Sequence, residues 1–573
     1  MDYDLKITGG TIVDGTGRAR TRGDVAIAGG RIAAVGEAKG SARETIDAEG
    51  RVVAPGFVDI HTHYDAQVMW DPMLTISPWH GVTSVVMGNC GFGVAPAKPE
   101  NRRLLLRTLE NVEGMSLEAL EEGLAAWPFE TFAEYLDAIE RRGTAINLGA
   151  MIGHSAVRLD VMGIESTERT ATDDEIASMA RIVGDAAKAG ALGFSTSTSP
   201  LHVGFDGRPV PSRLADVATE TVRLAGALRA AGGGTVQVTN GFEPAFDLFE
   251  AFAAASGGRV SWTALLTRIG QREAHMRHHE ASLAQHRKGL PIFPQVSCRP
   301  LMMEMQMAAP FPFERLDEFR PASAADRAGK ARVYADPAFR AALRHALSPA
   351  GSQAPHISNF RIAFAGMRVA DCAEEPALNG RLVADIAAER GVHSLDVVLD
   401  LSLASNLATR FLFPLANTDE EGIELFLNSP NTVMGLSDAG AHASQLCDAC
   451  FATDLLGRWV REKKALTIEA AVRHLSARPA AAFGLADRGV LAPGMAGDVV
   501  VFDPDTVAAG RLERVHDFPA GADRLISRAT GIDAVIVNGT VIRQGGEDRV
   551  DAKGPLPGTV LRSTRQVARS AAS

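Results

Sequence analysis

Cysteine is scarce in this 573-residue chain. Its five residues, Cys90, Cys298, Cys372, Cys447 and Cys450, are spread across the sequence. So few thiols, so far apart, exclude a disulfide-built fold and fit a reducing, cytoplasmic setting. Cys447 and Cys450 form a C-x-x-C, but no redox-type βαβ pattern surrounds it, so it carries no redox or zinc assignment. Aromatic residues are also few, at 6%, while glycine and alanine abound, which suits close helix–strand packing better than a β-sandwich throughout. Positive charge is in deficit: 58 Lys+Arg stand against 69 Asp+Glu, a formal −11, which argues against an electrostatic nucleic-acid binder. A local basic pocket for a small anion stays compatible with that balance. No apolar run approaches the ~18 residues of a membrane span. The opening "MDYDLKITGGTIVDG" has no apolar core of a signal peptide, so neither a membrane nor a secreted setting is expected. Nothing in the composition speaks to oligomeric state.

What the chain does contain is a rhythm. Short apolar runs ending in polar residues recur between helical stretches: "GFVDIHTH" (56–63), "GVTSVVMGNC" (81–90), "AINLGAMIGH" (145–154), "ALGFSTSTS" (191–199), "GTVQVTN" (234–240), "RVSWTALLTR" (259–268), "LPIFPQVSCR" (290–299) and "NTVMGLSDAGAH" (431–442). Near-continuous apolar runs of this length are what parallel strands covered on both faces look like. The connection at 172–190 has a capping-box pattern at Thr172 and Glu175, one apolar face, and Gly190 where a C-terminal cap belongs. Eight such strands point to an α/β fold, a (β/α)8 TIM-like barrel over 56–482, with an open doubly wound sheet as the competing arrangement. Residues 1–55 and 483–573 carry Gly-punctuated, alternating short strands. They read as two halves of one small β-sandwich unit built from both chain ends. Residues 300–425 are an insertion between the seventh and eighth strands. Its Met-rich "PLMMEMQMAAPFPFERLDEF" suits a lid or pocket wall, or ordinary core.

In a barrel, functional side chains sit at the carboxyl ends of strands. Those ends offer His61 and His63 on the first run, Cys90 on the second, His154 on the third and Asp438 on the eighth, with His442 a turn later. Residues i and i+2 of a strand share a face, so both imidazoles of H-x-H can converge on one point. Two imidazoles, a thiolate and a carboxylate are the donor types of tetrahedral zinc sites. A metal therefore accounts for them better than four unrelated, hydrogen-bonded core residues. His275, His278 and His279 in "HMRHH" fall on a charged helical stretch and read as solvated surface.

"PGFVDIHTHYD", "GVTSVVMGNCGFGVAP", "GALGFSTS", "GLSDAGAH" and "LSARPAAAFGLADRGVLAPGMAGDVVVFD" together resemble the amidohydrolase superfamily, and within it the N-acyl-D-amino acid deacylase (D-aminoacylase) branch, over nearly the whole chain. The resemblance implies that His61, His63 and Asp438 form one metal position, that Cys90 bridges toward a second, and that Asp438 is the general base. Family members also carry histidines at the ends of strands 5 and 6. Here Gln237 or Thr239, and Thr263 or Thr267, stand near those places, and all are poor zinc ligands. The expectation is therefore one zinc ion per chain, held by His61, His63, Asp438 and Cys90.

The implied reaction is hydrolysis of an amide C–N bond in an N-acylated amino acid. Asp438 would take the water proton and return it to the departing amine. His154 is the candidate for hydrogen-bonding the developing oxyanion, or else a structural strand-end residue. His442 could orient a ligand or simply start a helix, and Asp65 could hold a ligand histidine or cap a turn. The substrate's carboxylate calls for a cation, for which Arg158, Arg299 and His202 are candidates. The hydroxyls of "STSTS" serve a substrate or only the turn. Two other readings stay open. One is hydrolysis of a cyclic imide, hydantoin or ureide, and the other is a ligand-binding relative without turnover.

Overall fold

The computed structural model of the chain describes residues 1–563 except 311, 314, 315, 324 and 352, so the last ten residues of the expected C-terminal portion lie outside it. Each of the eight apolar runs contains a strand: β1 (Phe57–Asp59), β2 (Val82–Met87), β3 (Asn147–Gly153), β4 (Gly193–Ser197), β5 (Thr235–Thr239), β6 (Arg259–Thr263), β7 (Ile292–Val296) and β8 (Val433–Met434). They pair in sequence order and in parallel from β1 to β8. The circle closes just past the strand ends, where Thr62 and Ala439 form a parallel bridge. Sequential order and closure identify the barrel and exclude the doubly wound sheet, whose strand order reverses at a switch point.

The connecting helices follow the sequence signals. Over Asp173–Ala189, the Thr172 hydroxyl accepts the Glu175 N–H while the Glu175 carboxylate accepts the Thr172 N–H, and Gly190 closes the helix at φ 112°. The barrel interior is partly polar. Ser195, Gln237 and Ser261 lie side by side in the strand register of β4, β5 and β6, all fully buried. Buried polar groups need partners, and these find theirs around the candidate site.

The two chain ends build one nine-stranded sheet. Val52–Pro55 pairs antiparallel with Val499–Phe502, and a common core of Leu5, Ile7, Val25, Ile27, Val501 and Ile536 lies inside it. Residues 560 and 561 depart from the expected division. They pair with Leu148 and Gly149 of β3, on a stretch of that strand that β4 does not reach.

Residues 266–276 and 299–423 form a separate compact unit. It contains a three-stranded antiparallel sheet, Leu301–Gln306, Arg410–Ala416 and Arg368–Asp371 in that order, and a core of its own. Met305 and Met307 belong to that core, packed with Phe313, Phe319 and Phe364, so for them the core reading holds.

One expectation is corrected along the helix Arg272–Arg287. His275, His278 and His279 are buried, not solvated. His278 Nε2 lies 2.6 Å from Glu243, His279 Nε2 lies 2.9 Å from the Ser429 hydroxyl, and His275 Nδ1 accepts the Arg268 N–H. The charged residues between them mask a helix whose inward face is imidazole rather than aliphatic.

Candidate metal centre

The H-x-H segment is fixed by backbone hydrogen bonds on both sides. Thr62 donates its N–H to Val86 O at the end of β2. On the other side His63 N–H donates to Ala439 O, while His61 O accepts from the Asp438 N–H and the Ser437 hydroxyl. This local ladder closes the barrel and turns both imidazoles to the same face. It also sets Asp438 beside them. Cys90 (φ 58°) and Asp438 (φ 47°) both occupy left-handed backbone, a strain concentrated where the loops bring donors inward. Gly88 permits the approach of the Cys90 loop, since a Cβ there would lie 2.2 Å from Met151 O.

The donors converge. Cys90 Sγ is 3.4 Å from His61 Nε2 and 4.0 Å from His63 Nε2. Asp438 Oδ1 is 3.3 Å and 3.8 Å from the same two nitrogens. Metal bonds of ~2.0–2.3 Å at tetrahedral angles give donor separations of about 3.3–3.7 Å. Among the described residues His61, His63 and Cys90 form the cluster of donors close enough to hold a metal ion, with Asp438 Oδ1 within 3.8 Å of both imidazoles.

Each histidine is anchored through its other nitrogen, as metal-ligating imidazoles are. His61 Nδ1–H points to Gln295 Oε1 at 2.8 Å, and Gln295 is itself oriented by donating to the Ser261 hydroxyl. His63 Nδ1 lies 3.2 Å from Glu113 Oε1. Glu113 ends the helix α1 (Arg102–Glu113) and is buried, and its carbonyl accepts the His442 N–H. Burial alone would push both imidazoles down. The Cys90 sulfur and Asp438 hold His61 above the ordinary histidine value, and Glu113 with Cys90 hold His63 well above it. Burial would raise the Cys90 thiol, but the two imidazoles outweigh it and bring it to about 7. Without a cation, the sulfur and the carboxylates thus favour the charged form of the two imidazoles, and the imidazoles in turn favour the thiolate.

Strands 5 and 6 place hydrogen-bonded side chains beside the cluster. Gln237 Oε1 accepts the Cys90 N–H at 2.7 Å, and Gln237 Nε2 donates to Thr239 and Thr263, whose hydroxyls lie 3.1 Å apart.

Two of the candidate residues are engaged away from the cluster. His154 is fully buried with both ring nitrogens engaged, Nδ1 with Thr196 and Nε2 with Glu220. Arg158, equally buried, reaches both oxygens of the same Glu220 at 2.5 Å. Both are sealed from solvent against Glu220, a carboxylate far from either in sequence, which takes His154 Nε2 and Arg158 Nη1. Asp65 does neither of the things considered for it: its carboxylate accepts the Gly88 N–H and so braces the Cys90 loop. Arg299 opens the separate unit, where its carbonyl accepts from Asn417. His442 lies beside Glu113, joined to it through its backbone N–H.

His202 does sit by the cluster. It packs on Phe92 at 5.3 Å, with Nδ1 2.8 Å from the Ser197 hydroxyl. Burial takes it down to about 4, against the pull of Glu113 and Asp438. Glu113 and Gln295 went unread in the sequence, and Gln237 reads there only as a poor ligand, not as the support of Cys90. Helix α1, on which Glu113 sits, carries no motif, and a glutamine within an apolar strand has no spacing signature.

The sequence pattern of the amidohydrolase family matches residues 44–543. The chain belongs to the amidohydrolase family. This amidohydrolase is 30% identical over 555 residues to the D-aminoacylase of Alcaligenes xylosoxydans xylosoxydans, covering 95% of each chain. It is 31% identical to the N-acyl-D-glutamate deacylase of the same organism, over 94% of this chain and 93% of that one. Among solved structures, the N-acyl-D-glutamate deacylase of Bordetella bronchiseptica, complexed with zinc and a phosphonate inhibitor, superposes with a TM-score of 0.65 at 28% identity, over 98% of this chain and all of that one. The amidohydrolase is accordingly an enzyme of amide C–N hydrolysis, of the D-aminoacylase branch, with residues that fit a metal. No helix among its described residues is long and apolar enough to cross a membrane.

Proposed function

We propose that this amidohydrolase removes the acyl group from N-acyl-D-amino acids with a single zinc ion held by His61, His63, Cys90 and Asp438. The observation that carries the reading is that Cys90 Sγ and Asp438 Oδ1 each lie 3.3–4.0 Å from the Nε2 atoms of both His61 and His63. The zinc-bound deacylase structure and the D-aminoacylase relative support the metal and the substrate class. A single ion is supported by the hydrogen-bonded Gln237, Thr239 and Thr263 on strands 5 and 6. It is supported too by D-aminoacylase itself, whose binuclear centre is described as showing one-metal activation and second-metal attenuation.

A divalent ion in this site supplies Lewis acidity, polarising a carbonyl and lowering the pKa of water from 15.7 toward about 7. The chain's own residues handle the protons. Asp438, 26% exposed beside almost fully buried imidazoles, takes a proton from the attacking water. It delivers that proton to the amine nitrogen as the C–N bond breaks, leaving a carboxylate and a free amine. His202 replaces His154 as the oxyanion donor. The Ser197 hydroxyl lies 2.8 Å from Nδ1, and in the tautomer that serves this role it donates there, with the imidazole hydrogen on Nε2.

The test combines metal content with turnover. About one zinc per chain and hydrolysis of N-acetyl-D-amino acids are expected. Asp438→Asn should keep the fold and lose most turnover, on the order of the 10²–10⁴-fold a general acid–base contributes. Two ions per chain would refute the single site. Hydrolysis of hydantoins alone would move the substrate class.

A further inference from the structure

We infer that Arg213, at the end of the loop that follows β4, is the cation that grips the substrate's α-carboxylate. The inference rests on the deacylase reading only for the presence of that carboxylate.

Of six arginines carried by helices, strands and loops outside the barrel strands, five are spent on carboxylates. Arg158 is sealed under Glu220. Arg107 pairs with Asp206 and Arg208 with Glu168, both at 2.7 Å. Arg514 pairs with Asp523. Arg524 lines a cavity that Asp438 also lines, but it is committed to both oxygens of Asp517 and to Thr75 O. Arg213 alone of these six pairs with no carboxylate among the described residues. Its one hydrogen bond runs from Nη1 to His202 O at 3.0 Å.

That bond, to the backbone carbonyl, places the guanidinium against His202, whose ring packs on Phe92, two residues from Cys90, and bonds the Ser197 hydroxyl, a residue whose backbone lies against Gly91. The segment is also held firmly. Ser212, 2% exposed, donates from its hydroxyl to Ser197 O and from its N–H to the Ser155 hydroxyl. Arg213 is half-buried, so a ligand there would leave water as it binds. A guanidinium with four of five N–H groups uncommitted, on a braced loop, suits bidentate capture of a carboxylate.

The experiment uses the zinc-loaded full chain and a probe that is not turned over, N-methylphosphonyl-D-leucine, together with the same compound masked as its carboxamide. Binding is followed by calorimetry, and metal content is measured in parallel. For the unaltered chain, the acid should bind more tightly than the amide. Arg213→Ala should weaken the acid ten- to a hundred-fold, in line with hydrogen bonds between charged partners, and leave the amide within about twofold and the zinc content unchanged. Arg213→Lys should recover part of the loss, since it restores charge without the fork. Equal binding of acid and amide by the unaltered chain would overturn the assignment. So would an Arg213→Ala effect shared by both probes, or none on either. If the acid binds through Arg213 while no N-acetyl-D-amino acid is hydrolysed, the carboxylate site stands and the deacylase reading falls.

Discussion

Replacing Glu113 by glutamine should weaken zinc binding ten- to a hundred-fold while leaving the fold intact. Glu113 ends helix α1, where the helix dipole disfavours a carboxylate, and it is buried, which disfavours the charge again. What offsets both is His63, 3.2 Å away. The gross attraction between unit charges at that separation is about 5 kcal/mol at an effective dielectric of about 20. Glutamine has the same shape as glutamate and keeps the contact, so the charge is what is lost. Partners of this kind change metal affinity by about 10–100-fold, or ~1.4–2.8 kcal/mol. The assay is a competition titration against a chromophoric zinc chelator at fixed pH, with far-ultraviolet circular dichroism as the control on fold. An affinity within about threefold of the unaltered chain would refute the reasoning, because the Glu113–His63 contact would then be contributing packing alone.

Three further outcomes are expected. Cys90→Ser should lower zinc affinity by about tenfold or more in the same titration, given that a ligand matters at least as much as its support; unchanged affinity would make Cys90 a bystander. Glu220→Ala should cost about 3–5 kcal/mol in urea unfolding, because it strands a fully buried Arg158, and a loss under about 1 kcal/mol would mean that water replaces the carboxylate. His474 is held down to about 3 by burial and then by Arg478. Its folded value lies below its unfolded one, so the unfolded chain takes up the proton first and stability falls as pH drops below about 6.5 toward 3. Measured between pH 7 and 4, unfolding free energy should fall less steeply in His474→Gln, by up to about 1.4 kcal/mol per pH unit, and parallel curves would refute it.

Much of the fold and part of the site are legible in the sequence. The eight apolar runs became the eight barrel strands because continuous hydrophobicity is the direct imprint of a strand covered on both faces. Thr172, Glu175 and Gly190 bounded their helix because capping uses atoms a few residues apart. His61 and His63 converge because a strand's period of two is a local property, and Gln237, Thr239 and Thr263 read as non-ligands from residue type alone. Other readings failed in a consistent way. His154 and Arg158 looked like functional residues at a strand end, yet both belong to Glu220. His275, His278 and His279 looked solvated, yet each is buried against a polar partner.

The sequence by itself determined the layered architecture, the closing of a β-unit from both ends and the residue types that meet at the candidate metal centre. These depend on periodicity and on residues that are near neighbours along the chain. Only the tertiary structure decided how those donors are held: His63 by Glu113, His61 by Gln295 and Cys90 by Gln237. It also decided that Arg158 is spent and Arg213 is not. Each of those pairings joins segments far apart in sequence. Strand register and loop packing choose the partner there, and a polar side chain carries no local mark of which partner it will find.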